Sequence, residues 1–472
     1  MAVKGGHPNV VFVFADQMRA QATGYAGDPN ARTPNLDRLA GECVNLVNAI
    51  SGHPVCSPYR ASLLTGQYPL THGVYINDVH LDDDAVSIAK VFGAAGYDTG
   101  YVGKWHLNGS PDGAYGGRHA FIPPESHQGF AYWKAFECNH NYMVSPYFEG
   151  DDPEPKLWEA YDPIAQTRDA CRYIQSHANG ERPFFLMLSY GTPHDPYDLV
   201  PEEYRAMFAD REIRLRPNVL ESKREDAIRD LRGYYAHIAA IDDCVGALLD
   251  ALEGSSLAED TIFIFTSDHG DCHYSHGMWT KVVPFEESIR VPFLLRYPAM
   301  FGAEGQQSEV LLDAPDIMPT LLRLCGFEVP DTVEGRDFSP VLLGEAHLDA
   351  SHSAFLSAPV SFAILRAQGL PAYRGVRTLG YTYVRSIRGP WMLFDNVEDP
   401  YQLHNRCNDP AYAAVQLALE AELQSWLDRL GDAFLPGHVY LERDGLTHYR
   451  EVTGEWGRLR TPWTVPESGG TT

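Results

Sequence analysis

The chain is poor in basic residues. Lysine and arginine total 37 against 63 aspartates and glutamates, for a formal net charge of −26 over 472 residues. The acidic residues are scattered, and the longest cluster is Asp82 to Asp84. Such a surface argues against nucleic-acid binding, which needs a basic footprint. An anionic substrate would have to find positive charge assembled locally. Long apolar runs are missing too: no segment approaches the roughly 20 residues of a membrane helix, so no membrane partner is expected. The apolar run near the start is five or six residues long and ends at Asp16, too short for a secretory signal core. Cysteine is sparse: Cys43, Cys56, Cys138, Cys171, Cys244, Cys272, Cys325 and Cys407 form no C-x-x-C pair. That spacing argues against a structural zinc cluster, and a cytoplasmic protein with reduced thiols is expected. Internal repeats and low-complexity tracts are absent as well.

What is present reads as a large globular fold. Hydrophobic residues make up 44% of the chain, enough for a sizeable core, and the length favours one large domain with a smaller one. "NVVFVFAD" is a continuous β-branched and aromatic run, the signature of a strand covered on both faces of a parallel sheet. Helix and strand patterns then alternate through "TPNLDRLAGEC", "SIAKVFGAAGYDTGYVGKWHL", "RPFFLMLSYGTPHDPY", the long helical stretch "REDAIRDLRGYYAHIAAIDDCVGALLDALEG", "DTIFIFTSDHG" and "VPFLLRYP". This is the pattern of an α/β domain with a mainly parallel sheet, expected over residues 1–345. From about 346 the texture changes to short alternating strands, "YRGVRTLGYTYVRS", "PWMLFDN" and "EDPYQLHN", followed by a helix. A small antiparallel subdomain is expected over 346–432, and an extended tail over 433–472.

Open α/β sheets bind ligands beyond the carboxyl ends of their strands. The residues after each expected strand are Asp16-Gln17, Lys104 with His106, His194, and Asp268-His269. Each is polar or ionisable and costly to bury alone, so their recurrence at strand ends points to one shared polar site. Asp16, Gln17, Asp268 and His269 offer two carboxylates, an amide oxygen and an imidazole, a donor set suited to Ca²⁺, Mn²⁺ or Mg²⁺. A cysteine, Cys56, sits in "HPVCSPYRASLLTG". Taken alone it fits a buried small hydrophobe, a thiolate nucleophile, a metal ligand or the precursor of something made by modification.

"CSPYRASLLTG" fits the pattern C/S-x-P-x-R-x(3)-L-T-G. "FADQ", "GKWH", "PHDPY", "SDHG" and Lys281 in "MWTKVVPFEESIRVP" accompany it in order, and the close "GYTYVRS…LFDNVEDPYQLHN" matches as well. On these residues the chain resembles the sulfatases, within the alkaline phosphatase-like superfamily, up to about residue 430. The resemblance implies that Cys56 is oxidised by a maturation enzyme to Cα-formylglycine, whose hydrate is the nucleophile. It implies a divalent metal, Ca²⁺ with Mn²⁺ or Mg²⁺ as alternatives, held by Asp16, Gln17, Asp268, His269 and the modified Cys56. Arg60 would orient the hydrate, Lys104 and Lys281 would hold sulfate oxygens, His106 would be the base for hemiacetal breakdown, and His194 with Lys281 the acid for the leaving alcohol. Asn77 would face the sulfate. His53, His72, His119 and His276 are read as structural.

The expected reaction is hydrolysis of a small aryl or alkyl sulfate monoester. The alternative is a phosphonate monoester or phosphodiester hydrolase with the same nucleophile. In the phosphonate enzymes the Lys and His of "GKWH" are replaced, whereas Lys104 and His106 are kept. Two departures stand out: Gln17 where many sulfatases have Asp, and Tyr59 where they have a small residue. The loop "FECNHNYMVSPYFEG", with Cys138, His140 and Tyr142, is a candidate wall for the leaving group, and the tail a candidate contact in a homo-oligomer.

Overall fold

The computed structural model describes residues 7–110, 115–349, 351–449 and Val452. Among the described residues fourteen strands are formed: β1 Asn9–Asp16, β2 Val44–Leu46, β3 Asp98–Lys104, β4 Tyr132–Phe136, β5 Pro146–Glu149, β6 Asp152–Leu157, β7 Phe184–Pro193, β8 Thr261–Ser267, β9 Phe293–Arg296, β10 Gln306–Ser308, β11 Ser353–Ala358, β12 Tyr373–Thr378, β13 Tyr381–Ser386 and β14 Gly389–Asp395. The first ten make one sheet in the order β10-β2-β9-β8-β1-β7-β3-β4-β5-β6. Its middle, β8-β1-β7-β3-β4, is parallel throughout. The two flanks turn antiparallel at β9 and at β5.

The apolar run of β1 is explained by helices on both sheet faces. Val10, Phe12 and Phe14 join the core beneath the Cys56–Thr65 and Ala314–Leu324 helices. Val11, Val13 and Ala15 join the opposite core, beneath the Asp162–Ser176 and Arg224–Gly254 helices. Each fully buried side chain of this kind is worth roughly 1.5–3 kcal/mol. With strands anchored on both faces, their carboxyl ends are fixed points for a site.

β11 to β14 form an antiparallel sheet in sequence order. One face of it, through Leu356, Tyr373 and Val384, is continuous with the main core. The other, through Val376, Tyr383 and Leu393, packs on Leu419, Leu423, Trp426 and Leu427 of the Ala413–Leu430 helix. The C-terminal sheet therefore completes the larger core and closes a small one of its own.

Several sequence expectations change. "EDPYQLHN" forms turns, not a strand, because the Asp395 and Asp399 carboxylates accept backbone N–H groups of Val397, Glu398 and His404, the local competition that favours turns. β2, β10 and the solvent-facing β6 carry too little apolar pattern to be read in advance. Part of the region expected as an extended tail is helical, Gly437–Arg443, with Tyr440 buried against Asp432. Residues 453–472, and with them the idea of a tail reaching a second subunit, lie outside the described residues. No described helix is long and apolar enough to cross a membrane.

Candidate active site

The parallel strands deliver their terminal groups to one place. Asp16 closes β1, Lys104 closes β3, and Asp268-His269 follow β8. Lys104 Nζ donates to Asp16 Oδ2 at 2.6 Å. His269 Nε2 lies 3.5 Å from Asp16 Oδ1 and 3.4 Å from Asp268 Oδ1. All four residues are completely buried. Gly103 makes the turn into Lys104 possible: it sits at φ +107°, and a Cβ there would lie 2.0 Å from the Ser189 carbonyl oxygen.

Cys56 is the first residue of the Cys56–Thr65 helix, and Asn77 Oδ1 accepts from the N–H of Ser57 at 3.1 Å. Asn77 thus serves as a surrogate cap for that helix as well as lining the cavity over Cys56. The helix stops at Gly66, at φ +68°, where a Cβ would meet Val333 at 2.8 Å. Arg60, one helical turn after Cys56, points the same way. Its Nη2 reaches Asp16 at 3.3 Å and Asp268 at 3.2 Å, while Nη1 donates to the Lys104 carbonyl and Ser189 Oγ. Tyr59 is buried in the core.

The Cys56 sulfur is the centre of the arrangement. Lys281 Nζ lies 3.1 Å from it, His269 Nε2 3.3 Å and Asp16 Oδ1 3.6 Å. Burial, with the Asp16 carboxylate beside it, pushes the thiol up to about 12, so thiolate chemistry is disfavoured at neutral pH. Burial opposes the charge on Asp16 as well, but Lys104 and Lys281 outweigh it and hold its carboxyl well below the usual range. Burial and the neighbouring Asp16 raise Asp268 to about 6. Arg60, Lys104 and Lys281 outnumber these two carboxylates, which leaves the centre suited to an anion.

Asp16, Cys56, Asp268 and His269 bring one donor atom each within 4.8 Å of one another. His269 Nδ1 is 3.0 Å from the Gly270 carbonyl, so that nitrogen carries the proton and Nε2 turns a bare lone pair toward the carboxylates. Two carboxylates, a bare imidazole nitrogen and one further donor fit a divalent cation. Gln17 stands beside this group. Its backbone N–H holds Asp268 Oδ1 at 3.0 Å, its side-chain Nε2 is tied to Asp271 and Tyr197, and its Oε1 lies 3.5 Å from Thr280 Oγ1.

Over Cys56 opens a cavity of about 180 Å³, also lined by Lys104, His106, Arg118, His140, His194, Asp195 and Lys281. His194 Nδ1 lies 2.9 Å from the Asp195 carbonyl, and its ring packs 4.5 Å from that of His140. Burial, Lys281 and His140 keep it far below the usual imidazole range, hence uncharged. A second cavity of about 330 Å³ shares Arg118, His140 and Asp195 with the first and extends it past Asn139, Asn141 and Leu199. Cys138 and His119 line this extension, so His119 stands at the cleft. Tyr142 lies beneath it, donating to the His194 and Asp195 carbonyls. His53, His72 and His276 take structural places, against Phe362, Ser62 and Phe285.

The sequence pattern of the sulfatase family matches residues 8–327, and that of the N-sulphoglucosamine sulphohydrolase C-terminal region matches residues 274–428. The chain belongs to the sulfatase family. This sulfatase is 42% identical over 440 residues to the ulvan-active sulfatase of Formosa agariphila, covering 92% of this chain and 84% of that one. A solved structure from work on the metabolism of multiple glycosaminoglycans by Bacteroides thetaiotaomicron superposes with a TM-score of 0.82 at 30% identity, covering 94% of this chain and 99% of the other. The phosphonate monoester hydrolase of Agrobacterium radiobacter shares the fold at TM-score 0.71 and 27% identity, over 91% and 96%. The protein is thus an enzyme of the alkaline phosphatase-like fold.

Sequence reasoning missed Asp78, Arg118, Asp195 and Trp279. Asp78 adjoins Asn77 in "GVYIND", and Asp195 follows His194 directly, so both were within reach of the motifs. Arg118 and Trp279 carry no local signal, and only the fold brings them to the cleft.

Proposed function

We propose that this sulfatase hydrolyses a sulfate monoester carried on a saccharide, with the hydrate of a formylglycine made from Cys56 as nucleophile. The observation that carries the reading is the position of Cys56. Its side chain stands between Lys281 on one side and Asp16 and His269 on the other, in a setting where the unmodified thiol is inert. A divalent cation on Asp16, Asp268 and His269, with Gln17 beside them, would supply Lewis acidity, favouring ionisation of a hydroxyl and offsetting sulfate charge; Ca²⁺, Mn²⁺ and Mg²⁺ all suit these donors.

The remaining work falls to the chain's own groups. Lys104 and Lys281 hold the sulfate oxygens as point charges that need no rearrangement during reaction. Arg60 locks Asp16 and Asp268 in place and offsets charge on the nucleophilic oxygen. Asn77 fixes the first turn that carries residue 56 and faces the sulfate. His194, uncharged in the free site, and Lys281 flank the leaving oxygen, and the arrival of an anion favours the protonated form of both. His106 takes the proton from the second hydroxyl of the sulfated hemiacetal, which expels sulfate and restores the aldehyde.

The adjoining cavity of about 330 Å³ favours a saccharide over the small aryl or alkyl sulfate expected from the sequence. Asn139, His140, Asn141 and Asp195 offer polar partners for hydroxyl groups along the extension. Trp279, 41% exposed at the mouth, offers an apolar face for a sugar ring. The names of the ulvan-active relative and of the glycosaminoglycan work point to the same substrate class. Lys104 and His106 in the cavity favour sulfate over phosphonate esters.

The test is sulfate release by the metal-loaded enzyme from sulfated oligosaccharides, an aryl sulfate and a phenyl phosphonate. The highest kcat/KM is expected on a sulfated saccharide; a higher value on the phosphonate overturns the reading. Mass analysis of the Cys56 peptide after co-expression with a maturation enzyme should show a loss of about 18 Da.

A further inference from the structure

Three buried groups, two of them lining the cavity, form a chain that ends on His106. Arg118 grips Asp78 with two parallel bonds, Nε to Oδ1 and Nη2 to Oδ2, both 2.7 Å. Asp78 Oδ1 in turn lies 3.1 Å from His106 Nε2. The side chains are 7%, 5% and 2% exposed in that order. Asp78 and His106 both sit at positive φ, +65° and +59°, a cost that non-glycine residues bear only where the surroundings hold them. The other ring nitrogen, His106 Nδ1, is buried and has no partner among the described residues, and the ring lines the cavity over Cys56.

A carboxylate accepts and does not donate. The 3.1 Å contact therefore places the ring proton on Nε2 and leaves Nδ1 as a lone pair. A carboxylate by itself would also draw a second proton onto the ring and abolish that lone pair. Here the fork from Arg118 matches the carboxylate's charge with one of opposite sign. We propose that Asp78 and Arg118 are a positioning pair: Asp78 fixes the tautomer that makes Nδ1 of His106 an acceptor, and Arg118 cancels the charge that would otherwise protonate it. The proposal rests on the reading of His106 as the base for hemiacetal breakdown.

The surroundings agree. Lys104, two residues earlier at the end of β3, adds positive charge. Cys56, Lys281, His140, His194 and Asp195 line the same cavity as the ring. Glu137 lies behind, accepting the backbone N–H groups of Asn108 and Gly109. Burial, then Lys104, with a contribution from Arg118, outweighs Asp78 and pushes His106 down to about 3. The ring is thus an uncharged acceptor across the working pH range.

The experiment compares Arg118→Gln, Asp78→Asn and the double variant in the full-length, metal-loaded enzyme. Two readouts are used: the pH profile of kcat, and the ring ¹⁵N shifts of histidine-labelled protein. In Arg118→Gln the carboxylate is no longer matched, so the acid limb of kcat and the titration of His106 should both move up by about 1–3 pH units. In Asp78→Asn kcat should fall by about 10²-fold or more with no upward move of the limb. The double variant removes both charges. Its acid limb should return to the wild-type position while kcat stays low, and its ring should populate both tautomers.

An acid limb and a His106 titration unmoved in Arg118→Gln overturn the proposal, as does an Asp78→Asn enzyme within about threefold of wild-type kcat. Loss of Tm and kcat without movement of the limb would mark a structural pair only, and also overturns it. If Arg118→Gln fails to fold, the double variant decides through the tautomer: the wild type should show Nε2–H alone, and an identical population in the double variant sinks the idea. The ring signals do not depend on turnover. Absence of sulfate release by the wild type would defeat the functional reading, whereas unchanged ring signals would defeat this one.

Discussion

The two sides of the site around Cys56, here its walls, are built differently. The inner wall, Asp16, Lys104, Asp268 and His269, stands on the ends of central parallel strands and is entirely buried. The outer wall takes Arg118, His140 and Trp279 from the long connections between strands, and His194 and Asp195 from just past the end of β7. It ranges from nearly buried to the 41% exposure of Trp279. The difference teaches where precision is held. The inner groups are anchored by strands packed on both faces, and the ion pairs among them set charge at one point. The outer groups are carried by loops, whose conformations can vary without disturbing the sheet. On the proposed reading, the first wall sets the charge for the reaction and the loops of the second face the saccharide, while His194, just past β7, serves as the acid.

The hardest blow falls on the group between the walls. Cys56→Ala should lower kcat by at least about 10⁴-fold on every ester, with the circular dichroism spectrum unchanged. Activity above that level would remove Cys56 from the reaction. Lys281→Met should cost about 10²–10³-fold in kcat with a smaller change in KM, since its charge acts mainly on the transition state. A pure KM effect would shift Lys281 from the chemistry to binding.

Trp279→Ala tests the outer wall. It should raise KM for a sulfated saccharide about tenfold, roughly 1.4 kcal/mol, while kcat on a small aryl sulfate holds steady. Equal losses on both substrates would erase the division between the walls.

The smallest effect is one of stability. Glu137, buried just past β4, is raised by burial to about 8, in contrast to Asp16, which is held low. Its pKa is raised on folding, so its contribution to stability is fully present below the unfolded value of about 4.3 and is lost as pH rises toward 8. Glu137→Gln, which resembles the protonated form, should therefore gain Tm relative to wild type from about pH 5 upward, levelling off past about pH 8. Parallel Tm curves would show that Glu137 is ionised like Asp16.

Much of the inner wall was legible in the sequence. β1, β7 and β8 are unbroken apolar runs, so their ends and the polar residues at those ends could be named in advance, and the C-x-P-x-R spacing marked Cys56 and Arg60. The outer wall was legible only in part. "FECNHNYMVSPYFEG" stood out by composition, but Arg118 and Trp279 look like ordinary surface residues in the sequence. The partnership of Asp78 with Arg118 spans 40 residues and has no local pattern. β6 and β10 were missed for a related reason: short, solvent-facing strands are held by pairing with neighbours, not by their own hydrophobic period.

The sequence by itself determined the α/β class, the strand-end residues and the segment that carries Cys56 and Arg60, because these rest on local periodicity, on glycine turns and on a motif contained in eleven consecutive residues. Only the tertiary structure decided that Lys281 stands 3.1 Å from the Cys56 sulfur, that Arg118 matches the charge of Asp78, and that the cleft runs on past Asn141. Those facts are distances between remote parts of the chain. They are fixed by burial and ion pairing in a low-dielectric interior, and no stretch of sequence contains them.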